Sequence, residues 1–247
     1  MAHLQVAIQT HFFQRRLCWM LSSMLQQEGL PEGCRLSASV AFAQGTGDPT
    51  TEAVIAHFRE FGLDVKASPW PDTSEFQYRG LTRNRQLEET DADWIIFADA
   101  DMVYPKGFFA TAHELLAGSY WNNPHCLFSQ RFSTELAPTE RVVARFTYPY
   151  VVPNAHDLAV QLPGKLKSNI GAGYCQIANV RLLKHNFGHY QEPGKHIDWN
   201  WEKKHQKAKS DQRFRRMLGG EAIPLPVQIH LQHERDSDFG KHVELQR

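Results

Sequence analysis

The strongest constraint on the fold is a hydrophobic period that keeps switching along the first half of the chain. Segments 4–10 (LQVAIQT), 35–43 (RLSASVAFA), 63–70 (LDVKASPW) and 94–100 (WIIFADA) are short apolar or alternating runs of strand type. Segments 14–29, 50–62, 79–92 and 106–118 follow them with helical spacing; in the first, apolar residues recur at 17, 20, 21, 24 and 25. Gly29 and Gly62 stop the first two helices. A helix between each strand and the next favours parallel pairing, because a parallel crossover needs about a dozen residues and a hairpin only two. The chain is therefore expected to be α/β, a Rossmann-like, mostly parallel sheet flanked by helices. Ligands of such sheets gather at the carboxyl ends of the strands, near the point where the strand order reverses.

The alternation dissolves after HCLFSQRFS (125–133). Residues 134–175 are rich in proline and aromatics and are expected to be mostly loop. A polar helix over roughly 197–218 and a short strand, PVQIHLQH (226–233), come next. This places a soft boundary near residue 133 within one compact domain of 247 residues, a length that can bury a single large core. Lys+Arg and Asp+Glu are equal at 27 each, so no global basic field announces nucleic acid or anionic lipid. No apolar run approaches the ~20 residues of a membrane span. The N-terminus lacks the pattern of a secretory leader, and the four scattered cysteines form no CxxC pair. A cytoplasmic location is expected.

The motif with chemical content is the end of the apolar run, WIIFADADMVYP (94–105). Aspartates are also spaced by two at 91/93 and 236/238, but those fall in a helix-to-strand turn and in a charged tail, where solvated acids need no further reason. Asp99 and Asp101 instead close a run that asks to be buried. Residues i and i+2 of a strand share a side, and two converging carboxylates repel unless a cation intervenes. Hard oxygen ligands suit Mg²⁺ or Mn²⁺.

The helix RGLTRNRQLEETDADW followed by IIFADADMVYP resembles the core of family 2-type GT-A glycosyltransferases. The resemblance spans about residues 4–133 by element order and 79–105 by motif. It implies a nucleotide-sugar-binding half, 1–133, and a loop-rich acceptor half, 134–247. It further implies that Thr10 and Asp48 hold the nucleoside, although AQGTGDP (43–49) departs from the family's acidic turn at that place. Arg83 and Asn84 would approach the nucleotide-sugar, Asp99 would reach ribose or sugar hydroxyls, and Asp99 and Asp101 would hold the metal, Asp101 on the diphosphate. In NIGAGYCQIANV (169–180), Gly171 and Gly173 resemble the family's glycine-rich loop on the donor sugar, or form a plain turn.

By the same resemblance, Asp198 in KHIDWNWEKKH (195–205) stands where the family carries its catalytic base, without the usual preceding acid. Aspartate is also a good helix N-cap, so base and cap both remain open. A late histidine completes the metal shell in many GT-A enzymes, which brings in His230 and His233. As i and i+3 on a strand they face opposite sides, so one of them at most is expected to coordinate. The segment 202–216 carries seven Lys/Arg against two acids, and suits a solvated helix face, an anionic acceptor such as nucleic acid, or a membrane surface. The resemblance implies a metal-dependent, inverting transfer from an NDP-sugar, UDP-sugar favoured, to an acceptor hydroxyl of a nucleic acid or a glycan. A nucleotidyltransferase would show a glycine-rich loop after the first strand, which QTHFFQRRL lacks. A sugar- or nucleotide-binding module would bind the same ligands without turnover.

Overall fold

The computed structural model describes residues 2–11, 13–44, 49–71, 76, 79–128, 130–146, 149–168, 176–184, 218 and 220–233. The elements run β1 (His3–Thr10), α1 (Gln14–Leu25), β2 (Arg35–Ala43), α2 (Pro49–Glu60), β3 (Asp64–Trp70), α3 (Arg79–Glu89), β4 (Trp94–Asp99) and β5 (Met102–Val103). They continue with α4 (Phe108–Ala117), β6 (His125–Phe128), β7 (Gln130–Thr134), α5 (Leu136–Val143), α6 (Ala155–Val160) and β8 (Gly164–Ser168). Last come β9 (Gln176–Asn179), α7 (Val180–Leu182), β10 (Glu221–Ile223) and β11 (Gln228–His230).

A seven-stranded sheet has the order β10-β6-β9-β4-β1-β2-β3. Strands β3, β2, β1 and β4 are parallel, as the alternation requires. The order reverses at β1, whose neighbours are β2 on one side and β4 on the other, so the switch point lies between the ends of β1 and β4. Strand β9 runs antiparallel between β4 and β6, and β10 returns parallel to β6. Both strands come from beyond residue 133 and complete the sheet begun before it.

The unbroken apolar run of β4 follows from burial on both faces. Trp94 and Ile96 join Leu4, Val6 and Ile8 of β1 in the core under α1 and α4. Ile95 and Phe97 pack on the other side with Ala7, Leu87 and Ala178.

A second, four-stranded sheet has the order β5-β11-β7-β8. β6 joins the large sheet and β7 the small one. Segment 226–233 is strand only at 228–230, and α5 and α6 occupy part of a region expected to be mostly loop. Pro138 is tolerated in α5 because it sits in the first turn, where backbone N–H groups have no partner within the helix. No helix among the described residues is long and apolar enough to cross a membrane.

Candidate functional site

β4 ends at Asp99, and the chain turns through Ala100 and Asp101 into β5. The strand alternation expected to place both aspartates on one side therefore stops at Asp99. β5 pairs antiparallel with β11, setting Met102 opposite His230. The Leu231 N–H donates to the Asp101 carbonyl at 2.8 Å, tying the two segments together just where the acid and the histidines sit.

His230 Nε2 lies 3.1 Å and His233 Nε2 3.2 Å from the same oxygen, Asp101 Oδ2. Both histidines converge on Asp101, which corrects the expectation of one. The rule of opposite faces fails because β11 ends at His230 and the chain to His233 is no longer strand. Ligand atoms of Asp101, His230 and His233 all lie within 4.8 Å of one another, close enough to share one ion.

Asp101 is 5% exposed, and its other oxygen, Oδ1, is buried without a hydrogen-bond partner among the described residues. Burial raises the cost of its charge, yet the two imidazoles outweigh burial and hold the carboxyl far below the ordinary range. An orphaned buried oxygen costs about 1–3 kcal/mol. One carboxylate and two imidazole nitrogens within 4.8 Å of one another fit a divalent cation, and the nitrogens suit Mn²⁺ better than Mg²⁺.

The rings are oriented from behind. His230 Nδ1 lies 3.2 Å from Ser133 Oγ on β7, so a cation on Nε2 would leave the Nδ1–H to donate to the serine. Phe13 meets the His233 ring edge-on with centroids 4.7 Å apart. Ser133 and Phe13 carry no sequence signal for this role; only the pairing of β7 with β11 and the position of α1 reveal it.

Asp99 stands apart from that cluster. Its carboxylate is 3.9 Å from Arg83 Nη2, and Arg83 on α3 is buried with its guanidinium over the Phe97 ring at 5.3 Å. Asn84, beside Arg83 in α3, is also buried. Thr10 ends β1 at the same edge of the sheet, since Gln9 is in register with Asp99. It is buried, and its hydroxyl has no partner among the described residues. An apolar cluster at the neighbouring strand ends, Ala41, Ala43, Trp70 and Phe76, was not expected from the sequence. Gln9 joins it to β1 by donating to the Phe76 carbonyl at 2.7 Å. Asp48, Gly171, Gly173, Asp198 and the basic segment 202–216 lie outside the described residues.

No protein-family model matches the chain, and no curated protein matches it. Among solved structures, S. aureus TarS in complex with UDP-GlcNAc is similar at 15% identity and a TM-score of 0.62, over 94% of this chain and 59% of that one. The mannosyltransferase PcManGT from Pyrobaculum calidifontis, in complex with GDP-Man and Mn²⁺, is similar at 16% identity and a TM-score of 0.55. That match covers 94% of this chain and 57% of the mannosyltransferase. The chain thus spans less than two thirds of either protein. At these identities the likeness establishes the fold, which is GT-A, a mostly parallel sheet flanked by helices.

Proposed function

We propose that the chain is a metal-dependent glycosyltransferase that moves a sugar from an NDP-sugar, UDP-sugar favoured, to an acceptor hydroxyl. The observation that carries this reading is the convergence of Asp101, His230 and His233 at the carboxyl end of β4, beside the switch point of a GT-A sheet. A divalent cation held there, Mn²⁺ in preference to Mg²⁺, would offset the charge that develops on the departing nucleoside diphosphate.

The chain's own groups divide the remaining work. Thr10 and the Trp70–Phe76 cluster line the strand ends where a nucleoside fits, one polar and one apolar contact to a base and ribose. Asp99 accepts from sugar hydroxyls, and Arg83 holds Asp99 and adds positive charge next to the diphosphate. Asp48 is assigned to the nucleoside, and Gly171 and Gly173 to the donor sugar. Asp198 removes the acceptor proton, with inversion at the anomeric carbon. The neighbouring structures with UDP-GlcNAc and with GDP-Man and Mn²⁺ support a nucleotide-sugar donor.

The test is a panel of NDP-sugars assayed for release of nucleoside diphosphate, with Mn²⁺, with Mg²⁺ and with chelator. The reading predicts release from a UDP-sugar that is fastest in Mn²⁺ and absent in chelator. Release of pyrophosphate from a nucleoside triphosphate would replace it with a nucleotidyltransferase. Metal-dependent binding with no release from any donor would leave a binding module.

A further inference from the structure

We infer that Arg16 is a positioning residue for the metal site, holding the segment Leu231–His233 so that His233 meets Asp101. The inference rests on the metal reading above. Arg16 belongs to α1, and its guanidinium is nearly buried. A buried arginine is costly unless its charge and donors are used. Arg16 Nη2 donates to Gln232 O at 3.1 Å, the carbonyl of the residue immediately before His233. The same Nη2 donates to Glu140 Oε1 on α5, which fixes the guanidinium from the other side. Its Cζ lies 5.8 Å from the centroid of Phe13, the ring that packs against His233.

The geometry is that of a clamp. His233 lies beyond the end of β11, so no sheet pairing sets its place. The chain there is held by contacts from far away in sequence: Arg16 on the Gln232 carbonyl, Thr134 on the Gln232 N–H at 3.0 Å, and the Asp101 carbonyl on the Leu231 N–H. Arg16 is the one that also governs the ring, through Phe13. Groups behind a metal ligand that are removed cost about 10–100-fold in metal affinity.

The experiment is Mn²⁺ binding to the full chain by titration calorimetry without donor, with thermal unfolding in chelator alongside. Arg16→Met keeps an apolar stem and deletes the guanidinium. Glu140→Gln leaves Arg16 in place but removes its charged partner, and its half-exposed position keeps folding safe. Arg16→Met is expected to weaken Mn²⁺ by about 10–100-fold. Glu140→Gln should weaken it less, in the same direction. In the His233→Ala background, Arg16→Met should add no further loss, because the ligand it positions is gone.

Unfolding temperatures that fall in both variants while Mn²⁺ affinity stays at the wild-type value would make Arg16 a structural residue and overturn the inference. So would a full additive loss in the His233→Ala background. His230→Ala and His233→Ala are run beside them. If these bind Mn²⁺ as the wild type does, the metal reading itself falls and takes this inference with it. If they lose Mn²⁺ while the Arg16 and Glu140 variants do not, only the clamp is refuted.

Discussion

Replacing Thr134 by valine removes a hydroxyl that three neighbours use, with little change in shape. Thr134 is buried at the end of β7. Its Oγ1 accepts from the Gln232 N–H at 3.0 Å, donates to the His230 carbonyl at 3.2 Å and lies 2.7 Å from the Thr139 hydroxyl on α5. Valine leaves the two backbone groups of the histidine segment without this partner. Each net hydrogen bond contributes about 0.5–1.5 kcal/mol, so the pair amounts to about 1–3 kcal/mol. For a chain of this size that is a fall in unfolding temperature of roughly 2–12 °C. Because the two groups flank Leu231 between the histidines, Mn²⁺ affinity should fall as well, by about 10–100-fold. Thr134→Ser is the control: it keeps the hydroxyl and sacrifices one methyl group, about 0.8 kcal/mol, with Mn²⁺ affinity close to wild type. The assay pairs thermal unfolding in chelator with Mn²⁺ calorimetry. A valine variant at wild-type stability and Mn²⁺ affinity beside a weakened serine variant would overturn this, since the methyl group and not the hydroxyl would then matter.

Three further outcomes are expected. Asp198→Asn should slow transfer by about 10²–10⁴-fold while Mn²⁺-dependent donor binding survives, as single-turnover assays would show; full activity would leave Asp198 a helix cap. Gly164→Ala should destabilise by about 1–3 kcal/mol in a denaturation curve, because a Cβ there meets the Ser133 carbonyl and comes within 2.8 Å of Thr134 Cα; an unchanged midpoint would mean β8 does not lie so close to β7. Reversing Lys203, Lys204 and Lys207 to Glu should weaken binding of a polyanionic acceptor and flatten its salt dependence, leaving donor hydrolysis unchanged; salt-insensitive transfer to a neutral acceptor would make this a solvated face.

The parallel half of the sheet was legible because its strands are buried on both faces and separated by amphipathic helices. β2 falls on the expected residues 35–43, and the WIIFA run became β4 with its side chains divided between the two cores. That Asp101 has partners was legible because a carboxylate closing such a run needs one. Its partners were only half legible. The resemblance to GT-A enzymes brought in His230 and His233, but their convergence depends on β11 ending at His230 and on Arg16 and Thr134 catching the backbone between them. Those contacts span 216 and 98 residues of sequence, beyond the reach of any local pattern. The places of β6 and β7 were hidden for a similar reason: which sheet each joins is set by distant partners, β9 and β10 for one and β8 and β11 for the other. α5 was obscured by Pro138, whose first-turn position is visible only once the helix start is known.

One divalent cation shared by Asp101, His230 and His233 should show itself in thermal unfolding of the wild type and of Asp101→Asn across a Mn²⁺ titration. Binding to the folded state alone at a free concentration of 100 times Kd stabilises by about 2.7 kcal/mol. For this chain length that is a rise of roughly 5–11 °C in the wild type. The same addition should leave Asp101→Asn where it stood in chelator, and Mg²⁺ should move the wild type less than Mn²⁺ does. A wild type that Mn²⁺ does not stabilise, or an Asp101→Asn variant stabilised equally, would contradict the account.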